Sequence, residues 1–188
     1  VKAKYPTLFQ QYTLAFESSS RQQATPLHPR VILFSKDARF ILAFNGNEKH
    51  RGYHEVEMFE FHNDRFDFQR IALNGSVQVF PKNESMCKRC HADGSKGLRP
   101  NWEPYSSWTG MYRSHDDFVE GEKYGLPFGD EHDHFVLFVD QSSRKGRYKH
   151  LENLVLLFGK DGQRHTAIQP NIALTQSLSY LNYKRIAN

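Results

Sequence analysis

Two cysteines and a histidine stand close together near the middle of the chain. Cys87 and Cys90 are separated by two residues, and His91 follows the second cysteine directly. This C-x-x-C-H spacing is typical of covalent c-type haem attachment. In such a site both thiols bond the porphyrin, and the histidine ligates the iron from the proximal side. The sequence therefore predicts one covalently bound haem c, held by Cys87, Cys90 and His91.

The same residues leave two other kinds of site open. A redox Cys-x-x-Cys usually lies near a βαβ pattern, and none is visible in the sequence. A structural zinc site needs further ligands, and the chain has only two cysteines, so histidines or carboxylates would have to complete it. A plain dithiol or disulfide is the remaining alternative. We favour the haem interpretation, because it uses all three residues at their observed spacing.

An aromatic segment follows the motif. Both tryptophans of the chain lie in it, and Pro100 and Pro104 restrict its backbone. A rigid aromatic loop can cover a porphyrin face and exclude water, which raises the reduction potential of the iron. Indole N–H, phenol O–H and guanidinium groups also bind propionates. We therefore expect four residues of this segment to contact the haem: Arg99, Trp102, Tyr105 and Trp108.

The sixth iron ligand decides between an electron carrier and a catalyst. Met111 is the first candidate, because a thioether favours reduced iron and electron transfer. His115 is the second, and an open or water-bound position is the third option. Met86 is too close to the attachment motif to reach the distal face, and Met58 lies in a predicted strand, where a core role is typical.

A second group of metal-binding side chains lies at 130–134. His132 and His134 alternate with carboxylates there and would bind a metal only if a strand or loop brought them together. In a helix, residues two apart occupy different faces. The sequence shows no Ser-His-Asp spacing and no glycine-rich phosphate loop, so nothing in it favours hydrolysis or nucleotide chemistry.

Length, charge and hydropathy limit the class of protein. The 188 residues suit a single domain spanning 1–188, and the net charge of +4 is too scattered to indicate nucleic acid, although it is compatible with a redox partner protein. No apolar run has the length of a membrane span. We find no signal peptide and expect a mature, exported chain in the periplasm or outside the cell, where this type of haem is attached. Oligomerisation is left open.

The hydrophobic pattern predicts an α+β fold. Apolar residues from Leu8 to Phe16 have helical spacing, which predicts an N-terminal helix. Residues 31–80 alternate with period two between turn residues, which predicts an antiparallel meander of four or five strands. The haem segment then occupies 84–114, and 115–188 is mainly helical. Helices are predicted over Glu131 to Val139, Arg147 to Phe158 and Ile172 to Ile186, the last with Asn171 as N-cap.

Several of these features together resemble a known group of proteins. The motif, the segment Arg99-Pro100-Asn101-Trp102 and the later Tyr105, Trp108, Gly110 and Tyr112 are similar to those of bacterial secreted monohaem c-type cytochrome-like proteins. Similar stretches extend from His28 to Gly46 and from Pro170 to Ile186, so the resemblance covers most of the chain. It implies covalent haem and export and specifies no substrate.

We therefore expect a monohaem c-type cytochrome that transfers single electrons, in which the protein sets potential and access. Two alternatives stay open at this point. One is a haem enzyme or gas sensor with an open distal side, acting on peroxide or a small nitrogen oxide. The other is a haem-bearing module of a larger or oligomeric electron-transfer assembly.

Overall fold

The structure is a computed structural model that describes residues 11–18, 20–101, 110–112, 128–151 and 168–187. For 128–133 and 168–169 it describes the backbone. Within these residues the secondary structure comprises one sheet, three α-helices and two short 3-10 turns. This arrangement confirms the predicted α+β class and the position of helices after the sheet.

The sheet is an antiparallel meander whose six described strands follow one another in chain order. Five of them lie in or at the edge of the region predicted to be a meander, and one precedes it. At the β4–β5 turn, Asn63 and Asp64 both have positive φ, which is the conformation that a two-residue hairpin needs. The strands are β1 (Gln11–Ala15), β2 (Arg30–Phe34), β3 (Phe40–Asn45), β4 (Glu55–His62), β5 (Arg65–Ala72) and β6 (Gln78–Val79).

The predicted N-terminal helix is wrong over the part that the structure describes. Residues 11–15 form β1, which pairs antiparallel with β2, placing Tyr12 opposite Leu33 and Leu14 opposite Val31. Both faces of this strand are covered, so Thr13 and Ala15 are buried as well as their neighbours. A strand that is buried on both faces loses the polar–apolar alternation by which a strand is recognised.

The two faces of the sheet carry two separate apolar clusters. On one face, which we call the α3 face after helix α3 (Ile168–Ala187), buried residues of β1 to β5 pack against Leu174, Leu178 and Leu181. On the other, which we call the α2 face after helix α2 (Phe128–Gln141), Leu14 and its neighbours pack against residues such as Phe135 and Phe138. Successive strand residues point to opposite faces, so the short strands supply both layers.

Three helices lie in the described residues: α1 (Ser85–His91), α2 (Phe128–Gln141) and α3 (Ile168–Ala187). The first was not predicted, whereas α2 and α3 confirm the helices predicted there. Asn171 lies inside α3 and is buried, so its prediction as an N-cap is wrong. No helix among the described residues is long and apolar enough to cross a membrane, in agreement with the hydropathy of the sequence.

The helix predicted from Arg147 to Phe158 is wrong at its beginning. Tyr148–His150 form a single 3-10 turn, and Leu151 is already extended. The Tyr148 ring is buried, and its hydroxyl donates to the carbonyl oxygen of Pro29 at 2.6 Å. This long-range contact fixes the chain where the local pattern favoured a helix. Residues 152–158 lie outside the described residues.

Candidate haem-attachment site

Helix α1 carries the whole cysteine–histidine motif and lies beside the sheet. Cys87 and His91 are four residues apart and so share one side of the helix. Cys87 is half-buried and packs against the apolar cluster of the α3 face, whereas Cys90 is exposed. Both cysteines are free thiols. One thiol and the imidazole are thus turned towards the protein, and the second thiol is accessible from solvent.

The His91 imidazole is held by two contacts. Its Nδ1 atom lies 2.9 Å from the backbone carbonyl oxygen of Arg99. Its ring stacks on the ring of Phe68, with centroids 3.9 Å apart and an interplanar angle of 18°. A carbonyl oxygen only accepts, so Nδ1 carries the proton and donates, and the lone pair of neutral imidazole is then on Nε2. Burial lowers the pKa of His91 below its usual 6.5, which favours this neutral form.

A tight loop returns the chain from His91 to its own hydrogen-bond partner. The Asp93 amide donates to the Gly97 carbonyl at 2.8 Å, and a β-bridge joins Ala92 to Leu98. Gly97 has φ of 84°, in the left-handed region that glycine adopts without strain. The Arg99 amide then donates to the His91 carbonyl at 2.9 Å. The backbone of residue 99 therefore binds both the backbone and the ring of His91.

A second bond ties the chain after the loop to the motif. The side-chain amide of Asn101 donates to the backbone carbonyl of Cys90 at 2.7 Å. Helix C-terminal carbonyls lack partners within the helix, so this bond satisfies one of the acceptors that α1 leaves free. Asn101 was part of the sequence resemblance, but its bond to Cys90 was not predicted.

An ion-pair network lies under α1, on the sheet, and the sequence pattern did not predict it. The Arg70 guanidinium binds Glu55 at 2.8 Å and Glu84 at 3.0 Å, and Arg30 binds Glu57 at 2.5 Å. Glu84 directly precedes α1, so its pair with Arg70 secures the start of that helix to β5. In the β4–β5 register Arg70 is opposite Glu57 and diagonal to Glu55, and Glu55 is the carboxylate of β4 that it binds. Charge alternation along 55–70 was visible, but only the register shows which charges meet.

The network also affects the first cysteine. Burial raises the pKa of the Cys87 thiol above its usual range, and the carboxylates of Glu84 and Glu57 add to the increase. Cysteines of redox-active or metal-binding sites need the thiolate and usually have a lowered pKa. The surroundings of Cys87 therefore disfavour the thiolate form that a redox dithiol needs.

The other predicted haem contacts divide between two groups. Arg99 is described: its carbonyl binds His91, and its guanidinium is exposed, with Nε 3.9 Å from Asp93. The predicted contacts of the aromatic segment and one predicted distal ligand lie outside the described residues: Trp102, Tyr105, Trp108 and His115.

Met111, the other predicted distal ligand, lies in the apolar cluster of the α3 face. It is 2% exposed and forms a β-bridge with Ala15 at the end of β1. It belongs to the same cluster of the α3 face against which Cys87 packs. The packing accounts for a methionine at this position, and ligation of iron by Met111 stays a prediction.

Two further groups of residues carry possible metal ligands. His132 and His134 both lie in α2, and positions two apart in a helix occupy different faces. Within the described residues, ligand atoms of Glu60, His62 and Asp67 lie within 4.8 Å of one another. The Lys82 ammonium binds Glu60 there, so part of the negative charge of this group is already balanced.

The chain was compared with protein-family models, with curated proteins and with solved structures, and none of the three comparisons found a match.

Proposed function

We propose that this protein carries one haem c attached through Cys87 and Cys90, with His91 as the proximal iron ligand, and that it transfers single electrons. The observation that carries the proposal is the hydrogen bond from His91 Nδ1 to the Arg99 carbonyl. It leaves Nε2 as the donor atom, and histidines that bind metals commonly donate their other N–H to a carbonyl in this way. A bound haem would supply the reversible Fe(II)/Fe(III) couple.

Attachment requires that two thiols reach one edge of the porphyrin. Each thiol would add across one vinyl group, with sulfur bonding one carbon and the proton ending on the other, so no oxidant would be needed. Cys90 is exposed and offers its sulfur directly. Cys87 is half-buried beside the apolar cluster of the α3 face, and burial raises its pKa, which favours the thiol form.

The imidazole orientation supports a single, preorganised ligand geometry. Phe68 fixes the plane of the His91 ring, and the Arg99 carbonyl fixes its rotation within that plane. A hydrogen bond from Nδ1 also increases the basicity of Nε2, which strengthens its bond to iron. The protein residues thus select the tautomer, hold the ring and tune the proximal ligand, whereas a six-coordinate electron carrier also needs a distal ligand.

Attachment can be tested by expressing the chain together with a c-type haem maturation system. We expect a product heavier by one haem, whose absorbance persists after denaturation in acidified organic solvent. Cys87→Ala and Cys90→Ala should each leave one thioether, and the double variant should lose covalent haem. A wild-type chain that matures without any covalent haem would refute the proposal, and Cys→Ala variants with unchanged attachment would refute the assignment of the thiols.

The electron-transfer part has its own measurement. A low-spin, six-coordinate spectrum in both oxidation states, with no binding of carbon monoxide, is the expected result. High-spin iron that binds carbon monoxide rapidly would contradict electron transfer as the function and favour an open distal site. Met111→Leu keeps the size of the buried side chain and removes the thioether. An unchanged spectrum in this variant would exclude Met111 as the distal ligand.

A further inference from the structure

A buried arginine near the end of the chain binds the loop that follows the haem motif. The side chain of Arg185, in α3, is 3% exposed. Its Nη2 donates to Asp93 at 2.6 Å, and its Nη1 donates to the backbone carbonyl of Lys96 at 2.8 Å. Its Nε donates to Asn182 at 2.9 Å. Every nitrogen of this guanidinium therefore has a partner.

These contacts join parts of the chain that are far apart in sequence. Arg185 binds Asp93 at the start of the 93–97 turn and Lys96 near its end, and so connects the two ends of that turn. A planar guanidinium with parallel donors suits such a two-point contact, and lysine does not reproduce it. Arg185 thus fixes the shape of the loop from outside.

The shape of the 93–97 turn determines where the Arg99 carbonyl, the acceptor for His91, lies. Residue 99 reaches the imidazole because the turn closes through the Asp93–Gly97 and Ala92–Leu98 pairings. We propose that Arg185 is a positioning residue for His91: by closing the 93–97 turn it holds the Arg99 carbonyl against Nδ1. The part of this inference that concerns the iron rests on the proposed haem function. The contact between Arg185 and the 93–97 turn does not depend on it.

A charged side chain is costly to bury, so the position of Arg185 needs a physical reason. Burial of a guanidinium is tolerated only when it is paired and fully hydrogen-bonded, and an exposed lysine or arginine would bind the last turn of α3 to the loop less rigidly. Two of the three partners of Arg185 lie in the loop rather than in its own helix. Its contacts therefore serve the loop beside His91.

The test compares Arg185→Met with Lys184→Met in the full chain, purified after maturation. The control removes the neighbouring positive charge of α3, whose ammonium lies over the Tyr180 ring and makes no contact with the loop among the described residues. Hydrogen exchange should become roughly tenfold to hundredfold faster at the amides of Asp93 and Arg99 in Arg185→Met, since a buried charge-assisted bond is lost. Exchange in β2 to β4 should be unchanged, and Lys184→Met should match the wild type.

The second measurement is the reduction potential of the haem. A weaker bond to the Arg99 carbonyl makes His91 less basic, so Arg185→Met should raise the potential, whereas Lys184→Met should not. Faster exchange at residue 99 with a wild-type potential would overturn the positioning of His91. If no haem is attached, the proposed function fails, and the exchange measurement still tests the contact between Arg185 and the loop.

Asp93→Asn covers the case in which Arg185→Met does not fold. Asp93 is the more exposed partner of the ion pair, and this variant keeps the bond from Arg185 to the Lys96 carbonyl. Exchange at the Arg99 amide should therefore accelerate by a smaller factor. Arg185→Lys should also give an intermediate exchange rate. Wild-type exchange at Arg99 in Asp93→Asn, together with either an unfolded or an unaffected Arg185→Met, would overturn the inference.

Discussion

The imidazole of His91 lies nearly parallel to the phenyl ring of Phe68, with the two centroids 3.9 Å apart. The contact joins the last residue of α1 to Phe68 of β5, which belongs to the apolar cluster of the α3 face. The imidazole therefore packs against a strand of the sheet. An imidazole that is fixed in this way would lose little further freedom on binding a metal ion.

The first prediction concerns Phe68, on which the His91 ring stacks. Phe68→Ala removes the surface on which His91 rests and leaves a cavity, so it should lower the free energy of unfolding by about 3–5 kcal/mol. Phe66→Ala is the matched control, because Phe66 is also buried on the same face and contacts Phe59 and Phe61 rather than His91. Urea unfolding should show similar losses for both variants. NMR of the labelled imidazole should show mixed tautomers of His91 in Phe68→Ala alone, and a single Nδ1–H form in both variants would contradict the prediction.

The second prediction concerns pH and the His28–His50 pair. The two rings meet edge to face at 5.3 Å, and His28 Nδ1 is buried without a hydrogen-bond partner among the described residues. Burial is the main cause that lowers both pKa values below 6.5, and His50 and Lys145 lower the pKa of His28 further. The unfolded chain therefore binds more protons than the folded one just below pH 6.5. Stability should be full above that pH and fall as the pH drops through the lowered values.

This pH dependence is measured by urea unfolding between about pH 7.5 and pH 5. The double variant His28→Gln/His50→Gln should lose part of the wild-type decrease. His62→Gln, at an exposed position on β4, is the control and should retain it. An equal decrease in the double variant and the wild type would show that these two histidines do not cause it.

The third prediction concerns Asn171, which links three segments. Its Oδ1 accepts from the Thr13 hydroxyl in β1, and its Nδ2 donates to the Tyr112 carbonyl at 3.1 Å. Asn171→Leu removes both of these buried hydrogen bonds, so it should cost about 2–4 kcal/mol in thermal or urea unfolding. Adding Thr13→Val should recover part of the loss. Gln176→Ala, on the exposed side of α3, should change stability by less than about 0.5 kcal/mol.

The fourth prediction concerns the close approach of Gly46 to Tyr148. A Cβ atom at position 46 would overlap the Tyr148 ring, whose hydroxyl is bound to Pro29. Gly46→Ala should therefore lower stability by about 1–3 kcal/mol through overpacking. Gly75→Ala separates this effect from backbone strain: Gly75 has positive φ, and a methyl group added there would have no atom of the described residues within 4 Å. A smaller loss at position 75, measured by thermal unfolding, is expected; equal losses would argue against the steric cause.

Local patterns were sufficient for much of the fold. The alternation and the turn residues of 31–80 predicted the meander, because turn residues separate its strands. The spacing of Leu174, Leu178 and Leu181 predicted α3, because these three residues form one buried stripe. The pattern failed for β1, where both faces are buried, and for Tyr148, whose hydroxyl binds a distant carbonyl. In both cases long-range contacts outweighed the local preference.

The sequence by itself determined which residues can do chemistry here: Cys87, Cys90 and His91 form a recognisable motif because its spacing lies within one short segment. Only the tertiary structure decided how these residues are arranged. It turns Cys87 inward, stacks His91 on Phe68, supplies the Arg99 carbonyl to Nδ1 and holds that loop by Arg185 from the far end of the chain. Strand register and helix docking create these contacts, and neither is encoded in local spacing.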